Sequence, residues 1–252
     1  MGSGGVSAPR AGARRRLAVG VLVLVQAGML LTGCRLDAQL AIDVERSGGG
    51  TLRLVLAADA NLVRRLRAAD TDPLGQLART VRQQEGWQVT RRATPDGGSR
   101  VTLRTSFADV EDLTRLTEEL SAAVNGPELA VLEPFGLDIE GRTLTLRGRA
   151  LLQPGPAVRD YGLTPAEAVA LLVNREAVSY TVRVRMPGTV ELTDGAVTPA
   201  GAVRYRVPPG SAVDVLVVAQ RPRPWRLIVL VLTAVVALIA AYVLRRHRRR
   251  PA

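Results

Sequence analysis

The sequence predicts an α+β fold: a single extracytoplasmic domain of antiparallel strands packed with about three to four helices, followed by one C-terminal transmembrane helix. Three observations carry this reading. Apolar and polar residues alternate on both sides of glycine-containing turns, which is the pattern of half-buried hairpins. Apolar residues at helical spacing, preceded by N-cap residues, lie between those hairpins. The stretch before residue 220 alternates again, so hairpins, intervening helices and a strand-rich end suit α+β better than a doubly wound sheet.

In chain order, Leu40, Ile42 and Val44 alternate with Asp43 and Glu45, Gly48-Gly49-Gly50 supplies a turn, and Leu52, Leu54 and Leu56 continue on the other side. Leu62 and Leu66 come next. Asp72 as N-cap with Pro73 at the first helical position opens a helix carrying Leu74, Leu77 and Val81, which ends before Gly86. A second hairpin runs from Trp87 to Ala93 and from Arg100 to Ser106, turning at Pro95-Asp96-Gly97-Gly98. After Asp109 the apolar spacing becomes helical at Val110, Leu113, Leu116, Leu120 and Val124. Strands are expected at 137–140 and 143–152. Thr164-Pro165-Ala166-Glu167 is a capping box, with hydroxyl and carboxylate each serving a backbone N–H, and opens a helix to about Asn174. Alternation then returns at Val178 to Val184, Val190 and Leu192, Val203 to Val207, and Val213 to Val217.

The ends read as membrane topology. Arg14, Arg15 and Arg16 precede an apolar run from Leu17 to Leu31, interrupted mainly by Gln26, and the run closes on Leu31-Thr32-Gly33-Cys34. A basic region, an apolar stretch of this length and small residues before a cleavage point describe a secretory signal. At the other end Trp225 and Arg226 lead into Leu227 to Leu244, followed by Arg245, Arg246, His247, Arg248, Arg249 and Arg250. Such a stretch is long enough to cross hydrocarbon, and the arginines place the tail in the cytoplasm. The expected partition is a signal over 1–33, an extracytoplasmic domain over 34–222, a spanning helix over 225–244 and a cytoplasmic basic tail over 245–252.

Composition removes whole classes of chemistry. The chain of 252 residues carries a formal net charge of +11, but Arg10, Arg14, Arg15, Arg16 and the arginines from Arg226 onward lie outside residues 35–224. The arginines that remain exceed the acids by only about one charge. A near-neutral domain is expected to lack the basic face that nucleic-acid binding requires. Every basic residue of the 34 is arginine, so no lysine Schiff base or phosphate-loop lysine is available. His247 and Cys34 each stand alone, which excludes Ser-His-Asp and Cys-His catalysis, a zinc site of His and Cys ligands, and an intrachain disulfide. No catalytic residue, metal ligand or cofactor site is assigned.

Other clusters have plain structural readings. Asp109, Glu111, Asp112, Glu118 and Glu119 are read as helix caps and solvated positions rather than acid–base or calcium ligands. Glu133, Asp138 and Glu140 are read as strand-edge charges rather than a glycosidase pair. Trp87, Phe107, Phe135, Tyr161, Tyr180 and Tyr205 are assigned to core packing in preference to a lipid cavity. Arg64, Arg65 and Arg67, with Arg91 and Arg92, suit lipid phosphates or anionic headgroups because guanidinium forks match phosphate oxygens; a solvated helix face and turn flank is the other reading.

Leu31, Thr32, Gly33 and Cys34 look like the lipobox of bacterial lipoproteins, which implies diacylglyceryl transfer to the Cys34 thiol and cleavage after Gly33. With the hairpin beginning near Asp37, the stretch Met186-Pro187-Gly188-Thr189-Val190, the Val203 to Val207 strand, Pro209-Gly210 and the terminal apolar segment, the layout resembles the actinobacterial LppM-like lipoproteins. The strand after Gly201 reads Arg204-Tyr205-Arg206, where many relatives of this class would carry a Trp. The resemblance implies a non-enzymatic domain on the outer leaflet of the plasma membrane, with affinity in the family for phosphatidylinositol mannosides. The expected partners are the membrane itself, a phospholipid or glycolipid ligand and, as the alternative function, a membrane protein of the cell-envelope machinery that the domain would scaffold.

Overall fold

The computed structural model describes residues 34–127, 129–173 and 178–221, with Thr233 and Val235. By its internal contacts the chain divides into Met1–Gln220 and Arg221–Ala252, and every strand and helix named below belongs to the first unit. Its opening alternation forms β1 (Leu36–Val44) and β2 (Gly50–Ala58), an antiparallel hairpin in which Leu40 faces Leu54 and Ile42 faces Leu52. Gly48, at φ +100°, takes the left-handed turn conformation that a residue with a Cβ adopts only with strain. The chain then forms helices α1 (Ala60–Ala68) and α2 (Pro73–Arg82), the hairpin β3 (Gln88–Ala93) and β4 (Ser99–Phe107), and helix α3 (Val110–Val124).

Three further strands, β5 (Leu129–Leu132), β6 (Gly136–Glu140) and β7 (Thr143–Pro154), precede a 3₁₀ turn (Pro156–Tyr161) and helix α4 (Pro165–Val173). The chain ends its fold with β8 (Val178–Arg185), β9 (Thr189–Thr193), β10 (Ala196–Val197), β11 (Ala202–Val207) and β12 (Ala212–Gln220). Seven strands form the first sheet in the order β10-β11-β8-β1-β2-β4-β3. Five form the second: one edge of the long β7 pairs β5 and β6, and the other pairs β12, which continues to β9.

Register explains where the core sits. Tyr205, Val182, Leu40, Leu54, Leu103 and Val89 are cross-strand neighbours in one row, so they share the inner face of the first sheet. Leu144, Leu146, Val215 and Val217 of the second sheet join the same buried cluster, as do Leu113, Leu116 and Leu120 of α3. Trp87, Phe107, Phe135, Tyr180 and Tyr205 are all buried, in keeping with the packing role expected for them. The side chain of Tyr161 lies outside the described residues. Tyr205 also ties the sheets together, its hydroxyl donating to Leu216 O at 2.6 Å and lying 2.7 Å from Thr193 Oγ1.

Helix α3 holds the second sheet's edge through a polar stripe with a four-residue period. Thr117 Oγ1 accepts the Phe135 N–H at 3.0 Å, Ser121 Oγ donates to Leu132 O at 2.8 Å, and Asn125 Oδ1 accepts the N–H groups of Val131 and Leu132 at 2.8 and 3.0 Å. These side chains partner backbone groups of β5 and of Phe135, just after it, that no neighbouring strand reaches.

The expected fold class needs correction. Two sheets dominate the domain, and the four α-helices are short additions to them rather than an equal layer. The strands are not uniformly antiparallel, because β1 pairs β8 in parallel from Leu36 opposite Val178 to Asp43 opposite Arg185. Alternation reveals that a segment is a strand with one buried face, but it carries no information on which distant strand lies beside it. The expected transmembrane helix is also not found: among the described residues no helix is long and apolar enough to cross a membrane. Apart from Thr233 and Val235, the segment 225–244 lies outside the described residues, as do the tail 245–252 and the signal 1–33.

Candidate functional site

Cys34 is the one lipobox residue that the structure describes; Leu31, Thr32 and Gly33 lie outside it. Regular structure starts two positions later, at Leu36 of β1, so the cysteine sits at the mouth of the sheet with no intervening linker. Its side chain is half-buried and rests against the core. Burial pushes the thiol above its ordinary pKa, Arg65 and Arg64 pull it back, and Asp59 adds to the rise.

Asp59 organises this corner. Its Oδ2 accepts the Arg35 N–H at 2.9 Å, its own N–H donates to Arg35 O at 3.0 Å, and its Oδ1 accepts the Leu62 N–H at 2.7 Å as the N-cap of α1. One carboxylate thus fastens the chain immediately after Cys34 to the start of the helix that carries Arg64 and Arg65. Arg64 is hydrogen-bonded to Asn61 Oδ1 along the same helix.

The remaining candidate arginines fall elsewhere. Arg67 is exposed in the last turn of α1, where a cation complements the helix dipole. Arg91 is engaged within the fold: its two terminal nitrogens donate to Asp72 Oδ2 at 2.6 Å and Oδ1 at 2.9 Å, a bidentate pair. The pair lies over Gly75, where a Cβ would come within 2.1 Å of Asp72 Oδ2. Arg92 stands on β3 opposite Arg100 of β4, on the outer face of the first sheet. Of the five arginines, two act electrostatically on the Cys34 thiol, one is paired with Asp72, and two are exposed at separate positions.

The acidic residues are spent on structure. Asp109 Oδ1 caps α3 by accepting the Asp112 N–H at 2.9 Å, and Asp112 Oδ2 accepts the Ala108 N–H at 3.0 Å. Arg115 bridges Asp112 and Glu119 along the helix. Glu133 lies 3.9 Å from Arg149, which also holds Asp214 at 3.1 Å. Among the described residues no group of three His, Cys, Asp or Glu side chains is arranged to hold a metal ion.

Sequence reasoning missed how the other arginines are distributed. The signal was present as Arg-x-Arg at Arg183 and Arg185 and again at Arg204 and Arg206, a spacing that puts both members on one strand face. Only the pairing of β8 with β11 shows that the two faces are the same one.

No family model matches the chain, and no curated protein matches it. Among solved structures it is similar to the folded domain of LppM from Mycobacterium tuberculosis, determined by NMR, with a TM-score of 0.47 and 16% sequence identity over 78% of this chain and 95% of that one.

Proposed function

We propose that this chain is an extracytoplasmic lipoprotein, acylated at Cys34, whose non-enzymatic domain works on lipid or glycolipid headgroups at the outer leaflet. The observation that carries the reading is a coincidence of two boundaries. The Leu-Thr-Gly-Cys sequence marks Cys34 as the first residue of a processed chain, and the first strand of the fold begins two residues after it. Acyl chains on Cys34 would hold the mouth of the first sheet, with Arg64 and Arg65 beside it, at the level of the phosphates. Guanidinium groups at that depth are suited to phosphate oxygens.

The test is the intact mass of the full chain after expression in an actinobacterial host that processes lipoproteins, with mapping of its N-terminal peptide. The expected result is a chain starting at Cys34 and carrying a diacylglyceryl group, and a Cys34→Ser variant without it. A wild-type chain that retains residues 1–33 and an unmodified thiol would overturn the proposal. Lipid that co-purifies in fixed stoichiometry, read by native mass spectrometry of the same material, would identify the headgroup class; a lipid-free mass with no uptake of added envelope lipids would overturn the lipid-handling part.

A further inference from the structure

The outer face of the first sheet is far more basic than the near-neutral composition of residues 35–224 suggests. Register places Arg204, Arg183, Ala41, Arg53, Arg104 and Gln88 side by side across six strands. Arg206 and Arg185 extend the row along β11 and β8, and Arg92 opposite Arg100 adds a second group on β3 and β4. Two acids share this face, Asp37 and Asp43. Asp37 is taken by Arg35 at 3.0 Å, and Asp43 lies 3.8 Å from Arg183. Among the described residues none of Arg53, Arg92, Arg100, Arg104, Arg204 and Arg206 has a carboxylate within ion-pair distance, and all six are exposed.

A second feature points the same way. Arg53 stands directly opposite Arg104, Arg183 opposite Arg204, and Arg92 opposite Arg100. Like charges directly opposite on neighbouring strands destabilise a sheet, so three such pairs on one face oppose the fold in isolation. An anionic counterpart covering the face removes that repulsion. Between the two groups of arginines lies Ala41, flanked in register by Arg53 and Arg183 and only 2% exposed.

We propose that this face is the surface on which the domain lies against an anionic phospholipid bilayer; the assignment rests on reading Cys34 as the acylated anchor. The row spans five interstrand steps, about 24 Å, a width that suits a field of headgroups rather than one small anion. Its uncharged positions are mostly small or polar, Gln39, Thr102 and Thr181 among them, with Val55 the larger apolar one and no aromatic ring on which a base could stack. Cys34 lies two residues before the start of β1, the strand at the centre of the face, so an anchor there keeps the whole face within reach of the lipid surface.

The experiment is arginine footprinting of the full chain with phenylglyoxal, made clean by the absence of lysine. The protein is reconstituted in vesicles of phosphatidylcholine alone or of phosphatidylcholine mixed with phosphatidylglycerol, and modification at each arginine is read by mass spectrometry. The expected result in anionic vesicles is a roughly fivefold slowing at Arg53, Arg104, Arg204 and Arg206, reversed by high salt, with Arg79, Arg82 and Arg147 unchanged. A variant carrying Arg53→Gln, Arg104→Gln, Arg204→Gln and Arg206→Gln should fold, since it removes repulsions, and should lose the slowing that exposed Arg92 and Arg100 on the same face show in the wild type. Equal labelling in both vesicles would overturn the assignment, as would slowing shared equally with Arg79, Arg82 and Arg147. Protection in neutral vesicles by inorganic phosphate would replace it with a free-anion site, and protection there by a single-stranded oligonucleotide would replace it with nucleic-acid binding. The intact mass of the same sample reports Cys34 acylation separately, so a protected face on an unacylated chain overturns the anchor and leaves the face standing, while an acylated chain with an unprotected face does the reverse.

Discussion

Thr117 shows what one buried hydroxyl does in this fold. It is fully buried, accepts the Phe135 N–H at 3.0 Å and lies 2.9 Å from Leu113 O, so it satisfies a donor in the connection between β5 and β6 from within a helix. Thr117→Val keeps the shape and leaves that N–H without a partner, which should destabilise the domain by about 1–3 kcal/mol in urea unfolding, while Thr117→Ser should recover most of the loss. Asp72 shows the pH dependence expected of a carboxylate in an ion pair. Burial raises its pKa, but the Arg91 guanidinium and the Gly75 N–H outweigh this and hold it below the ordinary carboxylate value. A depressed folded pKa means that the stabilisation is present above the unfolded carboxylate pKa and is lost as pH falls through the folded one. Urea midpoints measured down the acid range should therefore fall more steeply for the wild type than for Asp72→Asn, which retains a capping oxygen but no charge. The role of Asp72 was legible because its Gly75 partner is three residues away, as is that of the capping box, where Glu167 Oε2 accepts the Thr164 N–H at 2.8 Å. The role of Thr117 was not, since Phe135 lies eighteen residues on.

The same distinction governs the elements. Both hairpins before residue 108 and helix α3 match the periods read from the sequence, because period two and period 3.6 are local properties. Strand β5 escaped, since Leu-Ala-Val-Leu is a continuous apolar run without alternation, and a four-residue run cannot be distinguished from a helix fragment by pattern. The arginine face escaped for a different reason: Arg183 and Arg204 become neighbours only through the pairing of β8 with β11. Charge counted along a segment averages over faces, so residues 35–224 read as neutral although their first sheet presents a basic surface. If the cross-strand arginines repel in the unbound domain, Arg53→Thr should raise its stability by roughly 0.2–1 kcal/mol. Thermal unfolding at low ionic strength would show the gain, and added salt should shrink it. A loss of stability at low salt would mean that the packing of the Arg53 stem contributes more than its charge costs.

At the scale of the molecule, the order of strands matters more than their number. Strand β1 lies at the centre of the first sheet between β2, its hairpin partner, and β8, which the chain reaches only after β5, β6 and β7 of the second sheet. Strand β12 plays the corresponding part in the second sheet, between β7 and β9. The last strands in sequence therefore supply a central position in each sheet, and neither core closes until they arrive. Without β8 to β12, one edge of β1 and one edge of β7 would be unpaired, and Leu40, Ile42, Leu144 and Leu146 would lose their cross-strand neighbours Val182, Val184, Ala219 and Val217. Exposed apolar strand edges of that length favour association over folding. A chain ending at Val173 should accordingly lack near-ultraviolet circular dichroism and amide dispersion in heteronuclear NMR, even though it contains both early hairpins and every α-helix of the described fold. A dispersed, monomeric spectrum from that fragment would show that the helices and the first hairpins form a core by themselves, and that the parallel β1–β8 pairing joins a structure already made.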